Sequence, residues 1–287
     1  MKIVITGSSG FVGGHFVDKC FGLGYEVFPV DIKEGFDMTN WNQVRTIDQF
    51  DLLVHLAAKL FSHDGSFNSH DLYLTNIVST LNALELCKIR NAKMIFISSY
   101  VYGLPKNLPI REDHPASSFN PYTESKIIGE RLCLKYNQYH GLPISIIRPF
   151  NLYGKGLNEE LLIPTVIRGA KKGKIIVDDQ RPKRDYLYIS DFVDLLSGLS
   201  VYDQAGCEIF NAGSGVSYSV EKVIETVCSM YDHEIEVHSR NRQRENEIFE
   251  TRADISKAMK LINWKPAVSL VEGLGLMINE TKFSRAK

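Results

Sequence analysis

Along the first half of the chain, short runs of aliphatic residues alternate with longer stretches in which apolar and polar positions recur at helical spacing. Lys2–Thr6, Glu26–Asp31, Asp51–Ala57, Met94–Ser98 and Ile144–Phe150 read as strands, several of them almost continuously apolar. Continuous apolarity predicts strands covered on both faces. Phe11–Phe21, His70–Arg90 and Pro121–His140 read as helices between them, the last opening with Asn120-Pro121, a capping residue followed by proline at the first helical position. Repeated βαβ units predict an α/β fold on a doubly wound parallel sheet. Beyond about residue 155 the rhythm changes to helices near 159–172, 190–201, 219–231, 255–262 and 269–281, with strand-like pieces at Lys174–Val177 and Glu208–Asn211. The expected organisation is a first domain over 1–155 and a smaller, mainly helical lobe over 156–287, with some segments crossing back. No repeat, low-complexity tract or Pro/Gly/Ser linker separates the two, so a shared cleft is expected to take the ligand.

Composition narrows the partners. The 287 residues carry 33 Lys+Arg against 34 Asp+Glu, a net charge of −1, and 44% are apolar. Near-neutrality argues against nucleic acid or an anionic membrane as the main partner, because either favours a broad basic excess. No apolar run reaches the roughly 18–20 residues that span a bilayer, and Met1 leads into strand-like sequence, so a cytoplasmic location is expected. Five cysteines, widely spaced and without C-x-x-C, indicate neither a disulfide framework nor a zinc site, and no metal is expected. Motifs of other chemistries are missing: there is no G-x-S-x-G elbow, no G-x-x-x-x-G-K-[ST] loop and no H-E-x-x-H helix.

The first strand runs into Thr6-Gly7-Ser8-Ser9-Gly10-Phe11-Val12-Gly13, a glycine-rich turn opening a helix, as in Rossmann-type dinucleotide sites. Without Cβ atoms, backbone N–H groups there can approach a pyrophosphate. The second strand ends at Asp31, placed to accept hydrogen bonds from an adenosine ribose and to repel a 2′-phosphate. This favours NAD over NADP, with Lys33 nearby keeping NADP open. Tyr122 and Lys126, at i and i+4, share one helical face, where a cation favours the phenolate. A tyrosine so tuned can move a proton at a sugar hydroxyl while a nicotinamide carries the hydride.

In this order the motifs resemble an extended short-chain dehydrogenase/reductase of the NAD-dependent nucleotide-sugar epimerase/dehydratase family, similar to the UDP-glucose 4-epimerases, over nearly the whole chain. Val54-His55-Leu56-Ala57-Ala58 resembles the family's cofactor-lining strand, with Lys59 just beyond; Leu74-Thr75-Asn76 opens a helix whose Asn76 the resemblance turns to the cofactor, and Asp37-Met38 resembles the pair beside the adenine. Ile97-Ser98-Ser99-Tyr100-Val101-Tyr102-Gly103 resembles the S-x-x-V-Y-G strand end, which implies Ser98 as the catalytic hydroxyl, or Ser99 if the register slips. Arg148-Pro149-Phe150-Asn151-Leu152-Tyr153-Gly154 is similar to R-P-F-N-x-Y-G, implying Pro149 beside the cofactor and Asn151 on the substrate diphosphate. Arg184-Asp185-Tyr186 and the later Arg244 resemble the two segments that supply substrate-binding arginines, and a planar guanidinium suits a diphosphate. The resemblance also implies a homodimer through the helices around His70–Arg90 and Pro121–His140.

The reaction implied is 4-epimerisation of a nucleotide-diphosphate sugar through a transient 4-keto sugar. Dehydrating relatives carry Asp-Glu directly after the catalytic Ser/Thr; here those positions are Ser99 and Tyr100, which ranks 4,6-dehydration lower. A 4-keto-sugar reductase using NAD(P)H is the alternative, and a non-catalytic dinucleotide-binding protein is a third reading that an intact Ser/Tyr/Lys set disfavours. Outside these motifs, His55 in its apolar strand reads as a hydrogen-bonded structural residue, His63, His70 and His114 fall in loops, Trp41 and Trp264 read as packing, and Asn211-Ala-Gly213-Ser-Gly215 reads as a turn without chemistry. Residues 60–70, with Gly65 and many polar side chains, form a candidate flap.

Overall fold

The computed structural model describes residues 1–61, 68–203, 205–243 and 247–283. Its elements in the first half are β1 (Lys2–Thr6), α1 (Phe11–Gly22), β2 (Glu26–Val30), α2 (Trp41–Val44), β3 (Leu52–His55), α3 (Ser69–Arg90), β4 (Lys93–Ile97), α4 (Pro121–His140) and β5 (Ile144–Pro149). The second half adds β6 (Asn151–Tyr153), α5 (Leu162–Lys171), β7 (Lys174–Val177), β8 (Lys183–Tyr188), α6 (Ile189–Val201), β9 (Cys207–Ala212), β10 (Ser217–Ser219), α7 (Val220–Cys228), β11 (Glu236–Ser239), α8 (Ser256–Ile262) and α9 (Leu270–Phe283).

Six strands form one parallel sheet in the order β2-β1-β3-β4-β5-β9. Because strand side chains alternate, Ile3 and Ile5 of β1 enter one apolar cluster with Phe16 of α1 and Phe192 and Leu196 of α6, whereas Val4 enters another with Leu84 and Cys87 of α3 and Cys133 of α4. Both faces are thus covered, which is why these strands read as continuously apolar. The chain leaves β1 toward β2 on one side and toward β3 on the other, so the crevice outside the carboxyl ends of β1 and β3 is the topological switch point. On the open edge, β2 carries Pro29, which offers no N–H to a further strand.

Most boundaries shift by a residue or a few, and two of the shifts have a visible local setting. Leu56 and Ala57 lie past the end of β3: the Leu56 N–H is shared between the Thr6 carbonyl and Thr6 Oγ1, and the Ala57 N–H donates to Thr6 Oγ1, each at 3.2 Å. Asp31 is not the last strand residue but the cap of a 3-10 turn over Ile32–Glu34, its carboxylate accepting from Lys33 N. The α4 start follows the predicted form: Asn120 accepts from Thr123 N, Thr123 Oγ1 accepts from Asn120 N, and Pro121 occupies the first turn.

The second half is mainly helical but holds two small sheets, β10-β8-β6 and β11-β7. The strand-like piece at Glu208–Asn211 crosses back: as β9 it pairs with β5 and completes the main sheet, Phe210 and Ala212 being fully buried. Among the described residues no helix is long and apolar enough to cross a membrane.

Candidate active site

The cofactor end is built from backbone. Gly7 has φ +70°, and a Cβ there would lie 2.8 Å from Ala57 N; a Cβ on Gly13 would overlap the Gly7 carbonyl. Helix α1 opens at Gly10 with no side-chain cap, so the amides of its first turn, including Phe11 and Val12, are left for a ligand. A concave turn with a bare helix start fits a dinucleotide pyrophosphate. Asp31, 8% exposed, accepts from Ser9 N at 3.0 Å and Lys33 N at 2.9 Å, which leaves lone pairs on both carboxylate oxygens for a ribose diol. Asp37 caps its own turn through Thr39, and the buried Met38 is held by its carbonyl, which accepts from Asn82 Nδ2.

Around the carboxyl end of β3, side chains brace rather than line. Thr6 Oγ1 accepts from the amides of Leu56 and Ala57 and so gives its own proton to His55 Nδ1 at 2.8 Å. Burial, then the nearby Lys126 charge, pushes the His55 imidazole down to about 3, so it is a neutral structural residue. Asn76 accepts from Lys59 N at 2.7 Å and donates to Lys59 O and to Ser125 Oγ. Its two N–H donors are spent on fixing the Lys59 backbone against α4. Lys59 Nζ lies 3.6 Å from Asp71.

Helix α4 presents Tyr122 and Lys126. Lys126, 3% exposed, donates to Ile97 O at 2.8 Å and lies 5.1 Å from the Phe96 ring centroid and 5.8 Å from that of Tyr122. Burial pushes its ammonium down to about 8, opposed by Cys133 and Glu130. Burial also pushes the Tyr122 phenol up to about 12, opposed by a hydrogen bond with Ser99. The ammonium is engaged by the Ile97 carbonyl, and burial is the leading influence on both groups.

The two serines at the end of β4 face different ways. Ser98, 2% exposed, donates from its hydroxyl to Glu130 Oε1 at 2.5 Å, and its N–H donates to Ile147 O. The hydroxyl beside the phenol is that of Ser99. Tyr100 donates to Gly103 O at 2.8 Å and stacks edge-on with Tyr102 and Phe150.

Beyond Pro149, which ends β5, the substrate end is assembled from distant segments. Asn151 of β6 lies opposite Tyr186 of β8, and Arg184, two residues back on the same strand face, lies opposite Tyr218 of β10. Arg184 donates to the Ile248 carbonyl at 2.6 Å and pairs with the Glu247 carboxylate. Tyr186, 7% exposed, finds no hydrogen-bond partner among the described residues. Asp185 points to the other face, where its carboxylate accepts from Ser214 N, Ser214 Oγ, Gly215 N and Ala253 N at 2.6–3.0 Å, tying the 213–215 turn to the 253 segment. Asp191 likewise accepts from Ala267 N and Val268 N, and Trp264 Nε1 donates to its carbonyl, a packing role for that indole. Arg244, His63 and the centre of the 60–70 loop lie outside the described residues. His114 accepts from Lys106 N within its own loop. Motif reading missed Glu130, Tyr186 and Glu247; the first two carried a signal, lying at i+8 from Tyr122 and i+2 from Arg184, and Glu247 carried none.

A dinucleotide cradle beside a half-buried phenol and a buried ammonium is the equipment of a hydride-transfer enzyme, and the class is the extended short-chain dehydrogenase/reductases. The chain belongs to the NAD dependent epimerase/dehydratase family, whose model matches residues 3–213, and NAD is its cofactor. It is 30% identical over 307 residues to a putative UDP-glucose 4-epimerase of Methanocaldococcus jannaschii, covering 98% of each chain. It is also 30% identical to UDP-glucuronic acid decarboxylase 1 of Arabidopsis thaliana over 98% of this chain and 69% of that one. Among solved structures, RMD from Pseudomonas aeruginosa complexed with NADPH superimposes with a TM-score of 0.90 at 25% identity, covering 99% of both chains.

Proposed function

We propose that the chain is a nucleotide-sugar 4-epimerase that works through a transient 4-keto sugar. The observation that carries this reading is the sparseness of the proton-transfer equipment: one phenol, Tyr122, with Ser99 beside it, and no carboxylate at 99 or 100, Tyr100 being tied to Gly103 O. Such a site can remove and return a proton at one oxygen but has no second acid–base pair at those positions to expel water. When bound, NAD supplies the hydride acceptor and donor and a positive ring that favours the Tyr122 phenolate. Gly7, Gly10, Gly13 and Asp31 hold it. Tyr122 takes the proton of the C4 hydroxyl and later returns it, Ser99 orients that oxygen, and Lys126 supports the charge. Arg184, Asn151 and the Tyr186 phenol bind the diphosphate end. Ser98 acts through Glu130 and not on substrate.

The second reading is a 4-keto-sugar reductase, favoured by the likeness to the NADPH-bound RMD structure. The experiment that separates them is denaturing release and mass identification of whatever copurifies with the protein, followed by turnover of UDP-glucose and UDP-glucuronic acid. Retained NAD with interconversion of UDP-hexoses supports the epimerase. An empty site that binds NADPH moves the assignment to the reductase, and carbon dioxide release from UDP-glucuronic acid overturns both. Exposed Leu74 and Leu81 of α3 and Leu134 of α4 suit pairing of two copies, which sedimentation tests.

A further inference from the structure

We propose that Glu130 is the positioning residue of the catalytic helix, its buried carboxylate aiming the Ser98-Ser99 strand end and supporting the Lys126 ammonium. The inference rests on the reading of Tyr122 as the proton-transfer group. Tyr122, Lys126 and Glu130 stand at i, i+4 and i+8 and so form one stripe of α4. Glu130, 4% exposed, is fully engaged: Oε1 accepts from Ser98 Oγ at 2.5 Å and Arg148 Nε at 2.9 Å, and Oε2 accepts from Arg148 Nη2 at 2.6 Å. Arg148 in turn donates to Glu112 O at 3.1 Å and lies 4.9 Å from the centroid of the Tyr102 ring, whose hydroxyl donates to Asn211 Oδ1 at 2.5 Å. One carboxylate therefore ties α4 to β4, β5 and, through Tyr102, to β9.

Buried ion pairs contribute little net stability, and a packed apolar pair would join helix to sheet as well. An apolar pair would not hold the Ser98 hydroxyl. Anchoring that hydroxyl on one side of the strand end turns the next side chain, Ser99, to the other side, where it meets Tyr122. Nor would an apolar pair place a negative charge one turn from Lys126. The groups facing Lys126 are Glu130 and Cys133 on its own helix, His55 on β3 and the Tyr122 phenol. Burial keeps the Cys133 thiol protonated and His55 neutral, so Glu130 is the anion among them. It holds Lys126 up against the burial that pushes it down to about 8.

The test compares Glu130→Gln with a Glu130→Leu/Arg148→Met double variant, in which no charge is left unpaired. In Glu130→Gln the alkaline limb of kcat/KM moves to lower pH by about one unit, since a lost counter-charge of this kind is worth one unit or more; in the double variant, which also loses the Arg148 cation, it moves the same way by less. kcat falls by on the order of a hundredfold, the low end for a positioned acid–base group, and KM stays. A second readout needs no turnover: the Lys126 signal in NMR spectra of the NAD-loaded and NAD-free protein labelled at lysine Cε, assigned by its loss in Lys126→Arg, titrates at lower pH in both variants. If Glu130→Gln does not fold, the double variant decides. A folded variant with the wild-type limb and the wild-type Lys126 titration overturns the inference. Tyr122→Phe separates the two failures: substantial turnover in Tyr122→Phe sinks the reading of the site, whereas an inactive Tyr122→Phe beside an unshifted Glu130→Gln sinks the positioning role alone. Should neither Glu130 variant fold, Ser98→Ala decides, the same fall in kcat at constant KM being expected and an unchanged kcat overturning the proposal.

Discussion

The two ends of the cleft are made in different ways. At the cofactor end, a few consecutive residues do nearly everything: Gly7, Gly10 and Gly13 shape a turn whose ligands are backbone amides, and Asp31 closes it from the neighbouring strand. At the substrate end, no short segment suffices. Arg184 is held by Glu247 and the Ile248 carbonyl, Asp185 clamps the 213–215 turn to Ala253, and Asn151 donates to the Asp185 carbonyl. The first is specified by spacing along the chain and the second by which loops the fold brings together. Cofactor binding should therefore tolerate change in the second half, and substrate binding should tolerate change in the first.

The largest expected effect falls where the two ends meet. Tyr122→Phe removes the proton-transfer group from a helix that otherwise keeps its Asn120 cap and its Lys126 anchor. Turnover should drop on the order of a thousandfold while affinity for NAD and for the nucleotide sugar stays within a fewfold, measured by steady-state kinetics and calorimetry. Loss of either affinity would mean that the phenol also holds a ligand, and the separation of the two ends would blur there.

A second effect is on stability and belongs to the cofactor end. His55 is pushed from 6.5 to about 3 by burial in its Thr6, Ser79 and Thr80 surroundings. A depressed folded-state value means that the unfolded chain binds the extra proton, so the contribution is present above pH 6.5 and is lost as pH falls toward 3. The full span is on the order of 5 kcal/mol. His55→Gln should flatten the acid limb of the melting-temperature profile between those limits; an unchanged limb would assign the acid sensitivity to other groups.

Much of this was legible in the sequence, and the division follows the same line. The parallel sheet, the glycine turn and the Tyr122/Lys126 pair are local patterns, and the structure places each where periodicity and spacing lead one to expect, with Asp31 one residue past its strand as the cap of the next turn. The facing of Ser98 and Ser99 was not legible, because it depends on Glu130 and Arg148, residues of two other elements. Which segment returns to the main sheet was not legible either, since a six-residue strand such as Cys207–Ala212 can pair in either half until the fold chooses. Helical spacing shows that a cation lies near the Tyr122 phenol, but not that a carbonyl engages that cation.

A smaller pair of effects would break the comparison most directly. In Gly13→Ala the new Cβ meets backbone, with no flexible side chain to move, and NAD affinity should be lost with about 2 kcal/mol of stability. In Asp185→Asn one carboxylate oxygen becomes a donor facing backbone N–H groups, at about 1–3 kcal/mol. Burial holds the Asp185 carboxyl above its usual range, so the wild type loses part of this advantage as pH rises while the Asn variant does not. Thermal melts with each ligand present separate the cases: NAD should fail to stabilise the first variant, and nucleotide sugar should fail to stabilise the second.

The smallest effect tests whether the cofactor end is as local as its geometry suggests. In the proposed site Asp31 would discriminate a ribose diol from a 2′-phosphate, and it also accepts from Ser9 N and Lys33 N and so shapes the turn. Asp31→Asn keeps one acceptor oxygen and removes the charge. The ratio of NAD to NADP affinity, measured by titration calorimetry, should then fall about tenfold, or about 1.4 kcal/mol, with the melting temperature nearly constant. A fall in the ratio at constant stability would locate dinucleotide choice in the charge of one side chain. A constant ratio would place that choice in residues beyond the turn, and the cofactor end would then be as distributed as the substrate end.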